Sequence, residues 1–291
     1  MKVTIKNLLI QSVQYLKKRG VENNSVLDAQ LILGHILKVD RLYLAIHGEQ
    51  QLNENVVEQY CKMIEQRAEG MPVQYIIGEQ EFMSLPFKVT PDVLIPRSDT
   101  EILVEHIIEK YKNADEIEIM DIGTGSGCIA VSLAYYLRSQ VTAVDISPKA
   151  LDIAQWNAKI NGVENKMTFI QKDILSGFPE NIKEASFDVI VSNPPYIQSH
   201  VIGQLQREVK DYEPRLALDG GADGLVFYRK IIREAPQYLK CKGLLALEVG
   251  HDQSEQLMQL MEETDKYGDI EVVKDLAGIN RVVSARIKNV I

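Results

Sequence analysis

The chain has 291 residues, of which 45% are hydrophobic and 25% charged, enough for a sizeable core and one or two globular domains. Its formal net charge of −9 argues against a non-specific nucleic-acid binder, whose affinity comes largely from neutralising phosphates. Its three cysteines, Cys61, Cys128 and Cys241, are far apart and odd in number, so neither a disulfide framework nor a metal site is expected, and a cytoplasmic setting fits.

Lys2 and Lys6 precede no continuous apolar stretch, because Gln11, Ser12 and Gln14 interrupt it; no signal peptide is expected. Residues 1–70 read as a small helical domain. Ile5, Leu8, Leu9, Val13 and Leu16 fall on one helical face, which ends at Arg19-Gly20. Ser25 with Asp28 resembles a capping box opening a second helix that carries Leu27, Leu31, Ile32 and Ile36. Asn53 caps a third, with Val56, Val57, Tyr60, Cys61, Ile64 and Ala68 inward, closed by Gly70 and Pro72. These stripes read as core, and His35 and His47 as structural. A helical domain placed before a catalytic one suits recognition of a macromolecular partner.

Residues 71–92 read as a linker or β-hairpin, with Val73, Tyr75, Ile76 and Ile77 before Gly78, and Phe82, Phe87 and Val89 after it. Ser98 with Glu101 suggests a capping box for a helix burying Leu103 or Val104, Ile107, Ile108 and Tyr111. Arg97 and Glu101 stand at its start, as substrate-binding candidates or as a surface pair.

Across 93–291 strands and helices alternate. Strands are predicted at 117–122, 141–146, 167–172, 187–192, 243–249, 270–274 and 281–287, and helices at 127–138, 148–161, 200–210, 223–239 and 252–264. Such alternation implies an α/β, doubly wound, mostly parallel seven-stranded sheet. Only Asp275 to Asn280 separates the last two strands, so they pair antiparallel and one edge strand is reversed. No apolar run reaches membrane-spanning length.

Asp121-Ile-Gly-Thr-Gly-Ser-Gly127 follows the first of these strands and opens a helix. Gly123, Gly125 and Gly127 permit positive φ and close backbone approach to a ligand, with Thr124 and Ser126 between them; plain turns use glycine too. The spacing is not the dinucleotide G-x-G-x-x-G. Asp145 ends the second strand, 22 residues after Gly123, where a carboxylate can accept both hydroxyls of a ribose. Asp173 ends the third, at an adenine edge or simply in a loop. Phe178 follows, as a cover for adenine or as a hydrophobic plug.

Ser192-Asn193-Pro194-Pro195-Tyr196 ends the fourth strand, where two prolines force the chain out of the sheet. An amide, bare carbonyls and an aromatic face held rigidly there suit a planar substrate NH2: acceptors for its hydrogens and a ring for its plane. Glycine loop, ribose acid, adenine loop and Asn-Pro-Pro-Tyr at four successive strand ends resemble the class I S-adenosylmethionine-dependent methyltransferases. Leu94-Ile-Pro-Arg-Ser-Asp-Thr-Glu101, Tyr212-Glu-Pro, Leu218-Asp-Gly-Gly-Ala-Asp-Gly224 and Asp275-Leu-Ala-Gly-Ile-Asn-Arg281 narrow that resemblance to the release-factor glutamine methyltransferase family (PrmC/HemK). Ser98-Asp99 departs from the family's usual Pro-Glu but keeps a carboxylate, and Ser84 stands where the family often has glycine.

The resemblance implies S-adenosyl-L-methionine as methyl donor, S-adenosyl-L-homocysteine as product, and class I peptide release factors as protein partners. The acceptor is then the glutamine of their GGQ motif, in support of translation termination. Asp121 to Gly127, Asp145, Asp173, Phe178 and Asn193 are the cofactor candidates; Asn193, Pro194 and Tyr196 are the catalytic ones; Arg97, Glu101 and Pro195 join them toward substrate. A DNA or RNA N6-adenine methyltransferase could use the same Asn-Pro-Pro-Tyr, but the net charge and the absence of a basic recognition domain oppose sequence-specific nucleic-acid binding. A non-catalytic cofactor-binding scaffold is opposed by the intact Asp121, Asp145 and Asn193.

Overall fold

Side-chain caps set where the N-terminal helices begin. Thr4 Oγ1 accepts the Asn7 N–H at 3.3 Å to start α1 (Ile5–Lys18), and Asn53 Oδ1 accepts the Val56 N–H at 2.8 Å to start α4 (Glu54–Ala68). Between them lie α2 (Ser25–Leu37) and a short α3 (Arg41–Ile46), which hydrophobic periodicity does not reveal; Asp40 Oδ1 caps it from the Tyr43 N–H at 2.7 Å. The computed structural model describes residues 3–288, so Lys2 lies outside the described residues.

Two compact units divide the chain: Met1–Glu79 with Gln206–Tyr212, and Gln80–Leu205 with Glu213–Ile291. The first buries Leu8, Leu16, Ile32, Leu33, Tyr60 and Ile64 in one core. Two expectations fail inside it. Ser25 is the first helical residue and Asn24 the cap, because Asp28 is drawn into an ion pair with the buried Arg67 at 2.6 Å instead of closing a capping box. The apolar run at 73–77 forms a helix, α5 (Val73–Ile77), since Val73 has the helical core to pack against and no strand partner. The helix Arg207–Tyr212, α9 in chain order, belongs to this unit: Arg67 Nη2 reaches Glu208 at 2.5 Å and the Tyr212 hydroxyl donates to the Glu69 carbonyl at 3.0 Å.

A two-stranded hairpin, β1 (Glu79–Phe82) and β2 (Leu85–Lys88), starts at the boundary between the units, and the second unit continues from it into α6 (Ser98–Tyr111). Glu101 does not complete a capping box on α6; its Oε1 accepts the Met83 N–H at 2.6 Å and ties the hairpin turn to the helix. Then follow β3 (Ile117–Ile122), α7 (Cys128–Tyr136), β4 (Ser139–Asp145), α8 (Pro148–Ile160), β5 (Met167–Gln171), β6 (Phe187–Ser192), α10 (Val226–Tyr238), β7 (Leu239–Glu248), α11 (Ser254–Glu263), β8 (Tyr267–Lys274) and β9 (Asn280–Ile287). The helix predicted at 200–210 is instead a 3₁₀ turn, Ile202–Gln204, followed by α9.

The seven strands lie in the order β5-β4-β3-β6-β7-β9-β8. β9 is antiparallel to both β7 and β8, so the reversed strand sits one place in from the edge and β8 lies outermost. Alternation along each strand feeds two cores: Ile119 joins α6, α7 and α8 on one face, while Met120 and Ile122 join α10 and α11 on the other. Among the described residues no helix is long and apolar enough to cross a membrane.

Candidate active site

The parallel strands β3, β4 and β6 and the loop after β5 end around one cavity of about 490 Å³. That size suits a drug-sized ligand, and the carboxyl ends of such a sheet are where ligands bind.

The loop after β3 divides by burial. Gly123, at φ 73°, is exposed on the cavity wall, and a Cβ there would meet no atom within 4 Å. Gly125 lines the wall beside it. Thr124 and Ser126 turn inward, and Thr124 Oγ1 donates to Asp121 Oδ2 at 2.7 Å. Gly127 serves packing: a Cβ there would stand 3.0 Å from the Ala154 Cβ, so its absence lets α7 lie against α8. Asn157 on α8 fixes the loop from behind, donating to the carbonyls of Ser126 at 2.8 Å and Lys88 at 3.0 Å.

Asp121 is fully buried and its Oδ1 has no hydrogen-bond partner among the described residues. Burial pushes its carboxyl up to about 7, opposed by the Thr124 hydroxyl and reinforced by the nearby Asp145. A carboxylate raised by burial costs stability as pH climbs from its unfolded value, 3.8, through about 7, and the full cost is present above that. Asp121→Asn, without cofactor, is therefore expected to melt higher than the parent at pH 8, by about 2–4 °C per kcal/mol relieved. The gain should vanish toward pH 4; a thermal scan showing no gain at pH 8 would mean that the buried carboxylate is not unfavourable.

Asp145 lines the cavity with both oxygens anchored: Oδ2 accepts the Gly125 N–H at 2.8 Å and Oδ1 the Ser147 N–H at 2.9 Å. Burial raises its pKa and these backbone bonds lower it. Each oxygen keeps a lone pair for a ribose hydroxyl. Asp145→Ala is expected to lose about 1.5–3 kcal/mol of cofactor affinity per charge-assisted hydrogen bond removed. Calorimetry returning an unchanged affinity would remove Asp145 from the ribose site.

Asp173 also lines the cavity, its Oδ1 accepting the Leu175 N–H at 2.9 Å. Phe178 does not line it. Its ring is 4% exposed and stacks on Tyr238 at 4.5 Å in the core beneath α10, so it is the plug and not the adenine cover.

Asn193, Pro194 and Pro195 also line the cavity. Asn193 Nδ2 donates to Thr100 Oγ1 on α6 at 3.1 Å, which commits its NH2 to the protein and leaves Oδ1 as the group able to accept. Tyr196 does not line the cavity; it packs against the core around α10, and burial, then the Glu248 charge, push its hydroxyl up to about 12. The turn is pinned from outside. Ile197 N–H donates to the Leu218 carbonyl at 3.0 Å, Gly220 N–H returns a bond to the Ile197 carbonyl at 2.8 Å, and Gln253 Nε2 donates to the Tyr196 carbonyl at 3.1 Å. Gly220 must be glycine for this, because a Cβ would lie 2.7 Å from the Tyr196 Cα. Arg97 and Glu101 are not on the cavity wall: Arg97 Nη2 pairs with Glu213 Oε1 at 2.5 Å, and Glu101 holds the hairpin. Thr100, Asn157, Gln253 and the buried Glu248 went unread in the sequence, because each acts on a partner far away in the chain.

The chain matches the family model described as PrmC N-terminal domain over residues 7–78 and one described as a methyltransferase domain over residues 113–287. A release factor glutamine methyltransferase of Clostridium botulinum is 40% identical over 286 residues, 97% of this chain and 99% of that protein. The chain belongs to the release factor glutamine methyltransferase family. Another member, from Moorella thermoacetica, is 42% identical over 280 residues, 96% of this chain and 97% of that one. The crystal structure of a methyltransferase from Pyrococcus furiosus, 21% identical, covers 72% of this chain and 91% of its own with a TM-score of 0.50, an agreement of fold alone. As a member of this family the chain is an enzyme that takes its methyl group from S-adenosylmethionine. The cavity fits that donor: an open glycine wall, a ribose-ready carboxylate at Asp145 and a polar loop at Asp173.

Proposed function

We propose that the enzyme methylates the side-chain amide nitrogen of a glutamine, that of the GGQ motif, in class I peptide release factors, in the cytoplasm. The observation that carries this reading is the orientation of Asn193. With its NH2 spent on Thr100, the side chain presents a carbonyl oxygen on the cavity wall, an acceptor for an N–H of the substrate. Relatives about 40% identical over nearly the whole chain, named for glutamine methylation of release factors, support the choice of glutamine.

When bound, S-adenosylmethionine supplies a methyl group already activated on a sulfonium. The chain's own task is to present the amide. A glutamine nitrogen is a weak nucleophile because its lone pair is shared with its carbonyl. Asn193 Oδ1 and the Pro194 carbonyl accept its two hydrogens, fix the nitrogen, and favour the positive charge that grows on it. Most of the acceleration then comes from position. No side chain is needed to withdraw the proton beforehand, since the methylated nitrogen is strongly acidic and releases it to water. Tyr196, packed outside the cavity, anchors the turn. The helical unit serves recognition of the protein substrate.

The test is incubation of purified release factor with enzyme and methyl donor, followed by mass spectrometry of its peptides. Addition of one methyl group at the GGQ glutamine is expected, with a short glutamine peptide modified more slowly than the whole factor. Methylation of adenine in added DNA or RNA, with release factor untouched, would replace this reading by the nucleic-acid one.

A further inference from the structure

Behind Asn193, on the side away from the cavity, lies a buried acid with no part in the chemistry above. β6 and β7 run parallel with Ser192 opposite Leu247, so Asn193 and Glu248 come next to each other at the two strand ends. Glu248 is 3% exposed, and its Oε2 has no hydrogen-bond partner among the described residues. A buried carboxyl so incompletely satisfied is unfavourable for folding, which makes a role in function worth seeking. Thr100, 2% exposed, closes the group: its Oγ1 accepts from Asn193 Nδ2 at 3.1 Å, and both residues lie close enough to the Glu248 carboxyl to lower its pKa. An amide NH2 has two hydrogens: Thr100 takes one, and the neighbouring Glu248 carboxyl, with a free oxygen, is the acceptor at hand for the other. Oδ1 is thereby left to the cavity.

We propose that Glu248 is a positioning residue for methyl transfer: it fixes the Asn193 amide with Oδ1 toward the acceptor nitrogen and, as a carboxylate, polarises that amide into a stronger acceptor. This rests on the reading of Asn193 as the clamp on the substrate amide. Charges and hydrogen bonds act strongly in a low-dielectric site, so negative charge on Glu248, beside the Asn193 NH2, is felt at Oδ1 through the amide.

The titratable and polar groups that interact with Glu248 are Asp99 and Thr100 on α6, Arg281 on β9, Asn193 and Tyr196 after β6, Tyr228 on α10 and Cys128 on α7. Burial pushes its carboxyl up to about 7; hydrogen bonding from Thr100 and Asn193 and the Arg281 charge oppose this, and Asp99 adds to it. The carboxylate is the polarising form. Turnover at saturating cofactor is therefore expected to rise with pH through about 7 and then level off.

The experiment measures kcat and KM for release factor, cofactor affinity and melting temperature for Glu248→Ala, Glu248→Gln, Asn193→Asp and the double variant Asn193→Asp with Glu248→Gln, on both sides of pH 7. Glu248→Ala should lose about 100-fold in kcat, the penalty typical of a misplaced reacting group, with cofactor affinity retained. Glu248→Gln keeps the shape and an acceptor oxygen but cannot ionise; its kcat should match the low-pH value of the parent and show no rise. The double variant should exceed Asn193→Asp alone, because the exchanged amide now donates to the exchanged carboxyl. A parent-like kcat and pH rise in Glu248→Gln overturns the proposal, and that profile decides even where Glu248→Ala fails to fold. Full activity in Asn193→Ala would instead overturn the clamp reading on which the proposal stands.

Discussion

Asn193→Ala lowers kcat for release-factor methylation by about 100- to 1000-fold, or about 2.7–4 kcal/mol, the usual loss for one preorganised electrostatic contact. Cofactor affinity changes far less, because Asp145, Gly123 and Gly125 line the cavity and are held by bonds that do not involve Asn193. The loss falls on kcat because the substrate N–H gains positive character only as the methyl arrives, so the contact is worth more in the transition state than in the ground state. The backbone at Asn193 does not drift in the variant: two prolines follow it, and Leu218, Gly220 and Gln253 hold the next turn. Asn193→Asp separates acceptor from orientation. It keeps an oxygen but loses the donor to Thr100 and sets a second carboxyl beside Glu248. Two neighbouring carboxyls hold a proton between them more readily than either alone. The Asp variant should therefore exceed the Ala variant at low pH, where the shared proton bridges the pair, and lose that advantage as pH rises. Rate constants at parent level in both variants, with cofactor still bound, would reduce Asn193 to a turn residue.

The sheet was legible because its strands are short β-branched runs bounded by glycine, proline and loop acids, and the crossover rule leaves few ways to order them. The antiparallel pairing of β8 and β9 followed from loop length alone, whereas the place of β9 inside β8 depends on its pairing with β7, which local sequence does not encode. Both mistaken capping boxes have one cause. Asp28 and Glu101 have the right spacing for a local bond, but Arg67 and the Met83 amide, 39 and 18 residues away, win them. Phe178 illustrates the same limit: an aromatic residue in a loop can cover a ligand or plug a core, and only its stacking on Tyr238 decides. The glycine loop carries one sequence pattern, yet its members divide between wall and packing, since Gly127 answers to Ala154 across the α7–α8 contact. Thr100, which holds Asn193, Gln253, which holds the next turn, and the buried Glu248 beside them lie far along the chain from Asn193 and carry no local signature.

Arg67→Ala is expected to cost the helical unit about 3–5 kcal/mol, the penalty for stripping one partner from a buried ion pair. Arg67 is 2% exposed and ties three points together: Nε to Asp28 Oδ2 at 2.6 Å, Nη2 to Glu208 Oε1 at 2.5 Å and Nη1 to the Met71 carbonyl at 3.3 Å. Asp28 is 3% exposed, and burial already raises its pKa against the pull of Arg67; with the guanidinium gone nothing compensates that charge. Glu208 belongs to Gln206–Tyr212, far along the chain, so the lost contact also frees that segment from the core it packs on. Much of the penalty is the stranded carboxylate and not the worth of the pair, which a second change can show. Arg67→Met combined with Asp28→Leu replaces both charges with apolar volume and should recover most of the stability. Urea unfolding of the full-length chain, followed by circular dichroism, reads both: a first transition shifted to lower urea in the single variant and restored in the double. A shift within about 0.5 kcal/mol in Arg67→Ala, the range of ordinary surface substitutions, would mean that water reaches Asp28 and that the ion cluster does not hold the unit together.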